Sequence, residues 1–442
     1  MTKIVKFGGS SLANAKQFKK VKDIIMSDLT RKYVVPSAPG KRFPEDTKVT
    51  DLLIKAYNAK SENDFNNIFN EIVGRFDEII TDLKLDLDLS KEFEVIKGNF
   101  KKHLSMEYAE SRGEYLNGIV LANYLGFTFI DAADVIFIDK NGDYDEKKTD
   151  KILSQKLASV EHCVIPGFYG SSNDGKGTIR TFSRGGSDVT GSIVARNGNV
   201  SLYENWTDVS GFLVADPRIV KNPEVIGTIT YKELRELSYM GASVLHEKSI
   251  FPIRSLGIPI IIKNTNKPED PGTLIVESTC HKPDHVITGI AGHKGFATIM
   301  VEKDMMNEEI GFGRKVLQVL EDNNLSFEHT PSGIDTMTIV VETKEFIDKE
   351  QKILAGIHRA VHPDMVELES DLALIAIVGR GMRDGRGTAA KIFTALAKKS
   401  INIKMIDQGS SELNIIVGVK NIHFNEAIRA IYDEFITNDR EK

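Results

Sequence analysis

Apolar runs and helical spacings alternate along the first half of the chain. The runs IVKFG, KYVVPSAP, TFIDAADVIFI, HCVIPGFYGS, NVSLYENWTDVSGFLVAD and GIPIIIKNT read as strands, with helix-period stretches between several of them. Such alternation predicts an α/β sheet with helices on both faces. Residues 57–120 carry a helical pattern rich in charge, expected to be an inserted helical subdomain or lid; a solvated helical layer is the plainer alternative. Near 272–287 the composition shifts, which predicts two domains, 1–280 and 281–442. Beyond the shift the pattern repeats. ATIMVEK, VLQVLEDNNLSFEHT and DTMTIVVE return about 76 residues later as LALIAIVG, IFTALAKKSINIKMI and ELNIIVGV. Each copy runs strand, helix, strand, strand, helix, so two ferredoxin-like βαββαβ modules are expected over roughly 285–365 and 366–442, either in succession or interleaved.

Composition removes several classes of function. The chain has 442 residues, 41% hydrophobic and 27% charged, enough for large cores. A net charge of −6 argues against bulk electrostatic binding of nucleic acid. No run reaches the roughly 18 apolar residues of a membrane span, and Gly8 and Gly9 interrupt the first apolar run before it could serve as a signal peptide. The two cysteines, Cys163 and Cys280, lack metal-site spacing and suit a reducing cytoplasm.

Glycine-rich stretches carry the candidate chemistry. In KFGGSS the strand ends at Gly8-Gly9, and Ser10 or Ser11 is placed to cap a following helix. Free amides at such a start attract phosphate, and Lys6 would bring an ammonium to the same place. A P-loop lysine follows its glycines; this one precedes them. SRGGSDVTGS (183–192) is a second glycine turn feeding a helix, with Arg184, Gly185, Gly186, Ser187 and Asp188. An arginine there can grip a carboxylate through two parallel hydrogen bonds. In WTDVSGFLVADPRI (206–219), Thr207 and Asp208 fall at a strand end, where α/β sheets bind ligands, and Arg218 meets phosphate or a local acid. Glu114, in ESRGEYLNG, taken alone reads as a surface charge. GRGTAA (385–390) fits a dinucleotide fingerprint, but it lies inside the second repeated module, where no larger parallel sheet is available.

In this order the motifs resemble the aspartate kinases of the amino acid kinase superfamily. K-F-G-G-S-S is 6–11, S-R-G-G-S-D is 183–188, W-T-D-V-S-G is 206–211 and A-D-P-R is 215–218. ITYKELRELSYMGASVLHEKSIFP resembles the family's signature helix, and IIIKNTNKPEDPGT its closing strand and loop. The resemblance covers essentially the whole chain and implies a three-layer α/β/α kinase fold followed by two ACT modules. The implied reaction moves the ATP γ-phosphoryl group, with Mg²⁺, to the side-chain carboxylate of L-aspartate. It further implies that Lys6, Gly8, Gly9 and Ser10 meet phosphate and that Asp188 organises the centre. Thr50, Glu114, Arg184, Gly185, Gly186 and Ser187 would bind aspartate, Thr50 across a loop longer than usual. Thr207, Asp208, Leu213, Arg218, Ser243 and Val244 would meet the nucleotide. Ser243 and Leu213 stand where the family carries lysine and tyrosine, and Lys248 is a candidate replacement for the missing lysine.

Tandem ACT modules imply an effector amino acid bound where copies of the chain meet, as a homodimer or homotetramer. Met306, Glu328 and Ser332 match effector contacts, Asp335 shares their loop, and an acidic Glu328 favours L-lysine over threonine. Ending after the second module, the chain is expected to lack the homoserine dehydrogenase part of bifunctional relatives. The competing readings are a sister amino acid kinase, a catalytically dead amino-acid sensor of this fold, and a dinucleotide oxidoreductase.

Overall fold

The computed structural model describes residues 1–442 except 183–184, 243–244, 246, 280–282, 284, 384 and 438–442, with backbone alone at 247–249 and 251. It divides into two compact units. One holds Met1–Phe212, Val225–Lys232 and Val244–Thr279; the other holds Leu213–Glu224, Glu233–Ser243 and Cys280–Lys442.

In chain order the elements up to residue 276 are β1 (Lys3–Phe7), α1 (Ala15–Met26), β2 (Arg31–Pro36), α2 (Val49–Tyr57), α3 (Glu62–Leu83), α4 (Ser90–Lys101), α5 (Met106–Leu125), β3 (Thr128–Phe129), α6 (Ala132–Val135), β4 (Phe137–Ile138), α7 (Glu146–Ala158), β5 (Cys163–Val164), β6 (Tyr169–Ser172), β7 (Ile179–Thr181), α8 (Gly186–Asn197), β8 (Leu202–Thr207), β9 (Thr228–Thr230), α9 (Tyr231–Tyr239), α10 (Glu247–Arg254), β10 (Ile260–Asn264) and β11 (Thr273–Val276). Eight strands form one sheet in the order β3-β5-β2-β1-β8-β10-β11-β9. Its pairs are parallel except β10 with β11. A second sheet, β4-β6-β7, is small.

Side chains alternate across the pleat, so β1 splits its residues between two layers. Val5 and Phe7, with Val34, Val164 and Trp206, join one core with α1 to α5. The helical stretch 57–120 is therefore a layer on the sheet, sharing its core. Ile4 and Lys6 point the other way, toward α8, where Gly191 and Gly198 let the helix lie against Tyr203 and Tyr33. Long predicted strands are shorter than expected. TFIDAADVIFI breaks into β3, α6 and β4, because Asp131 caps a helical turn by accepting from the Ala133 amide at 3.0 Å. HCVIPGFYGS splits at Pro166-Gly167 into β5 and β6.

The second unit is built on β12 (Gly289–Glu302), α11 (Phe312–Asp322), β13 (Thr336–Glu342), α12 (Thr343–Phe346), α13 (Glu350–Val361), β14 (Met365–Val378), α14 (Thr388–Lys398), β15 (Met405–Asp407), β16 (Asn414–Lys420) and α15 (Phe424–Tyr432). Its strands make one antiparallel sheet, β13-β12-β14-β16-β15. The two repeats share it. β12 and β14 are 14 residues each, and each serves both repeats. The second half of β12 pairs with β13, while the second half of β14 pairs with β16. Register shifts beside Phe296, with Gly295 at φ +99° and Asp371 at φ +95°, mark the crossover. The strand expected at the end of VLQVLEDNNLSFEHT meets β13 through the isolated bridge His329↔Val340, followed by Ser332↔Met337 beyond it. Pro331 removes a donor from that ladder.

Candidate active site

Four turns converge at the C-terminal ends of neighbouring parallel strands: Gly8-Gly9 after β1, Ser37–Gly40 after β2, Pro166-Gly167 after β5 and Thr207-Asp208 after β8. This is where open α/β sheets bind ligands. The turns touch one another. The Gly40 amide donates to the Gly9 carbonyl at 2.8 Å, and a Cβ on Gly40 would stand 2.6 Å from the Gly9 carbonyl carbon. Glycine is required here for close approach; Gly8 itself is extended, at φ −69°.

The helix start differs from the expected one. Gly9–Leu12 form a 3₁₀ turn, and α1 begins later with Asn14 as its cap, accepting from the Gln17 amide at 3.1 Å. Ser11 instead exchanges a hydrogen bond with Thr265 at 2.8 Å. The Gly8 amide donates to the Trp206 carbonyl at 3.0 Å. The donors left at the turn are therefore the Gly9 and Ser10 amides, the first two of the 3₁₀ turn, which have no acceptor within it.

Lys6 folds back over this turn, its Nζ 3.8 Å from where a Gly8 Cβ would stand. That ammonium lies 2.6 Å from Asp188 Oδ1, both groups largely buried. Asp188 is in the first turn of α8, where its charge also suits the helix dipole. Gly185 caps that helix at φ +73°, a left-handed conformation that favours glycine. Gly186 lies against Phe168, and Ser187 against Gly167, where an added Cβ would sit at 2.6 Å from either neighbour. Asn205, absent from the sequence expectations, completes the group. Its Nδ2 donates to Asp188 Oδ1 at 2.9 Å, and its Oδ1 accepts from Lys6 Nζ at 3.4 Å. Its signal was a polar residue in mid-strand, next to Glu204 and two positions before Thr207. Phe168 was missed as well; it holds φ +79° beside Gly186, rare for a bulky side chain.

Glu114 is buried, at 6% exposure, contrary to the surface reading. It sits on α5 at the Ser37-Ala38 turn, where Asn117 also donates to the Ser37 carbonyl at 2.6 Å. Burial pushes its carboxyl up to about 8, opposed by a backbone hydrogen bond from Ala38 and, less, by the charge of Arg112. Its Oε2 has no hydrogen-bond partner. A buried carboxylate oxygen left open is poised for a cation. Thr50 is half-buried in the first turn of α2, after the long loop that follows Gly40. Thr207 ends β8, its hydroxyl 3.2 Å from Asp208, which is exposed. Arg184, Ser243, Val244 and the Lys248 side chain lie outside the described residues.

Leu213 and Arg218 fall in the other unit. There Arg218 is exposed and pairs locally with Asp216 at 2.6 Å. The four effector candidates are in that unit too. Met306 packs into the core of α11, α13 and β13, in a 3₁₀ turn. Asp335 accepts from the Met305 amide at 3.0 Å. Glu328 accepts from the Tyr239 hydroxyl at 2.6 Å, and Ser332 is exposed. GRGTAA opens α14 beside the antiparallel sheet, and among the described residues no parallel βαβ unit surrounds it. Among the described residues no helix is long and apolar enough to cross a membrane.

Comparison with known proteins agrees with this geometry. Residues 1–264 match the amino acid kinase family and residues 375–435 an ACT domain. The chain is 40% identical to Aspartokinase 3 of Bacillus subtilis, over 98% of each. The crystal structure of Clostridium acetobutylicum aspartate kinase superposes with a TM-score of 0.88 at 53% identity, covering 98% of this chain and 99% of that one. E. coli aspartokinase III, solved with aspartate and ADP, shares the fold at a TM-score of 0.75 and 23% identity, over 98% and 99%. A glycine turn carrying its lysine on the preceding strand, followed by paired ACT repeats and matched end to end by these relatives, places the chain in the amino acid kinase family as an aspartate kinase.

Proposed function

We propose that the Lys6–Asp188–Asn205 group under the glycine turn is the phosphoryl-transfer centre for ATP and L-aspartate. The observation that carries this reading is the buried ammonium 2.6 Å from Asp188 at the mouth of four strand-end turns, with the open oxygen of Glu114 on the neighbouring wall. The nucleophile is the side-chain carboxylate of aspartate, ionised at neutral pH with a reference pKa of about 3.9, so no general base is required. Its oxygen forms a bond to the γ-phosphorus while the bond to the β,γ-bridging oxygen breaks, and ADP leaves with that electron pair. The barrier is the approach of an anion to a polyanion, which positioning and cationic charge lower.

Each residue has a part in that task. Lys6 neutralises the transferring group, and Asp188 with Asn205 fixes its ammonium in place. The amides of Gly9 and Ser10 donate to phosphate oxygens, with Gly8 shaping the turn. Glu114 receives the α-ammonium of aspartate, Arg184 its α-carboxylate, and Thr50, Gly185, Gly186 and Ser187 line the same pocket. Thr207, Asp208 and Val244 meet the nucleotide, with Lys248 standing in for the missing lysine. Among the described residues no cluster of three or more acidic, histidine or cysteine side chains is built to hold a metal. A Mg²⁺ ion that binds mainly phosphate oxygens and water, with at most a single carboxylate such as Asp188 or Asp208, fits that donor set. When bound it supplies further charge neutralisation on the phosphates.

Residues 1–280 serve as the catalytic domain and 281–442 as the regulatory one. L-lysine is the effector, held near Met306, Glu328, Ser332 and Asp335; E. coli aspartokinase III, of the same fold, was solved with lysine. Exposed apolar residues lie close in sequence to those positions: Met305, Phe327, Ile334 and Ile310, the last at 97%. They support assembly into a homodimer or homotetramer through the ACT modules. The buried free thiol of Cys163 suits the cytoplasm.

The test is Lys6→Ala, assayed by ADP release with L-aspartate. We expect kcat to fall about 1,000-fold, as for loss of a charge that stabilises a transition state, with little change in aspartate KM. A loss confined to aspartate KM would overturn the role given to Lys6.

A further inference from the structure

The loop between β2 and α2 is long. Residues 41–48 separate Gly40, which presses on the phosphate-facing turn, from Thr50, at the start of α2. Most of these residues are exposed. A stretch of this kind carries little order of its own, and its ends would drift unless tied down. The tie comes from α3, an element that lines no part of the site.

Arg75 of α3 is 2% exposed. One of its terminal nitrogens donates to Asp46 Oδ2 and to the Thr47 carbonyl, both at 3.1 Å. The other donates to the Gly40 carbonyl at 2.9 Å and the Ala13 carbonyl at 3.4 Å. A single guanidinium thus joins the end of the Gly9–Leu12 turn, the Gly40 contact and the far end of the loop. Arg42 closes the same loop from within, reaching Asp46 at 3.0 Å and Glu78 of α3 at 2.8 Å. Burial works against a charge on Asp46, yet these two arginines hold its carboxyl down at about 2. A fork of five fixed donors suits this task, where a lysine would supply a single point.

We infer that Arg75 is a positioning residue for phosphoryl transfer, holding Gly40 against Gly9 and Thr50 at the aspartate pocket by clamping loop 41–48. This rests on the proposed placement of Gly9, Ser10 and Thr50 at the substrates. The helical layer thereby acquires a part in catalysis without touching a substrate.

The test uses the full chain. Arg75→Met removes the fork and keeps most of the stem. Misplacing substrate-positioning groups by about 1 Å costs about 100-fold, so we expect a loss of that order in kcat/KM for aspartate. Millimolar guanidinium chloride should restore about tenfold of it, and sodium chloride at equal strength should not. A folded Arg75→Met enzyme with kcat and both KM values within about two-fold of wild type would overturn the inference, as would a loss that guanidinium leaves untouched. Should Arg75→Met fail to fold, Asp46→Asn decides. The weakened clamp should raise aspartate KM about five-fold, and an unchanged KM rejects it. Thr50→Val tests the underlying placement separately. If it leaves aspartate KM unchanged, the site reading fails at Thr50 whatever Arg75 does. If it raises KM while Arg75→Met changes nothing, only the clamp fails.

Discussion

Glu114 links pH to both substrate binding and stability. Its folded carboxyl holds a proton until about 8, whereas the unfolded group releases it near 4.5. Between those values the folded state binds more protons, so this group's contribution to stability is full below 4.5 and is lost as pH rises toward 8. The α-ammonium of aspartate needs the ionised form, so binding expels the proton. Below about pH 8, wild-type aspartate KM should therefore fall about tenfold per pH unit as pH rises. Glu114→Gln should lose that dependence, raise KM about 100-fold at pH 8, and gain stability over wild type as pH increases. Steady-state kinetics and urea unfolding at pH 6, 7 and 8 check both, and a flat wild-type profile would reject the assignment. Residues at this scale differ in how openly the sequence declares them. Gly9 sits in a turn, and Lys6 and Asp188 flank turns, whose glycines announce a special backbone. Glu114, Asn205 and Arg75 lie inside regular elements, where a polar side chain looks the same whether it faces water or a buried partner.

The shared strands set the behaviour of the regulatory elements. β12 and β14 cross from one repeat into the other, and both change register at Gly295 and Asp371. Glycine accommodates a positive φ without cost; aspartate does not. Asp371→Gly should therefore stabilise the protein by about 0.5–1 kcal/mol, read as a raised urea midpoint at unchanged slope. A lower midpoint would mean that the Asp371 side chain contributes more than its backbone costs. The repeat itself was legible, since hydrophobic periodicity marks each strand and helix. Interleaving was one of two arrangements the pattern allowed, because a strand's sequence fixes which face is buried but leaves its neighbours open. Short strands at turns were overread for a related reason. Apolar runs such as TFIDAADVIFI stay buried whether extended or coiled, and only the cap at Asp131 separates the two.

For the whole molecule, two compact units and one chain define what regulation has to connect. The α/β architecture and the ACT repeats were readable from pattern and motif. The grouping of Leu213–Glu224 and Glu233–Ser243 with the second unit was not, since these segments lie within the run that reads as catalytic. We expect L-lysine to inhibit aspartate-dependent ADP release and threonine alone to leave it unaffected. The titration is done with each amino acid singly and then together. Inhibition by threonine alone would reject lysine as the effector, and insensitivity to both would remove the role given to Glu328.

Glu233 begins the second of those segments. It is fully buried within the second unit, where it accepts from the Thr288 hydroxyl at 2.5 Å, the Arg380 amide at 2.9 Å and the Arg380 guanidinium at 3.1 Å. Removing the partners of a buried charge costs about 3–5 kcal/mol. A gene broken after Thr279 would leave this carboxylate on one fragment and both partners on the other. The regulatory half is therefore no cassette to be traded between enzymes at a single breakpoint. Recombination that keeps the protein folded must carry two short stretches of the kinase sequence along with it, so the two halves are expected to be inherited together.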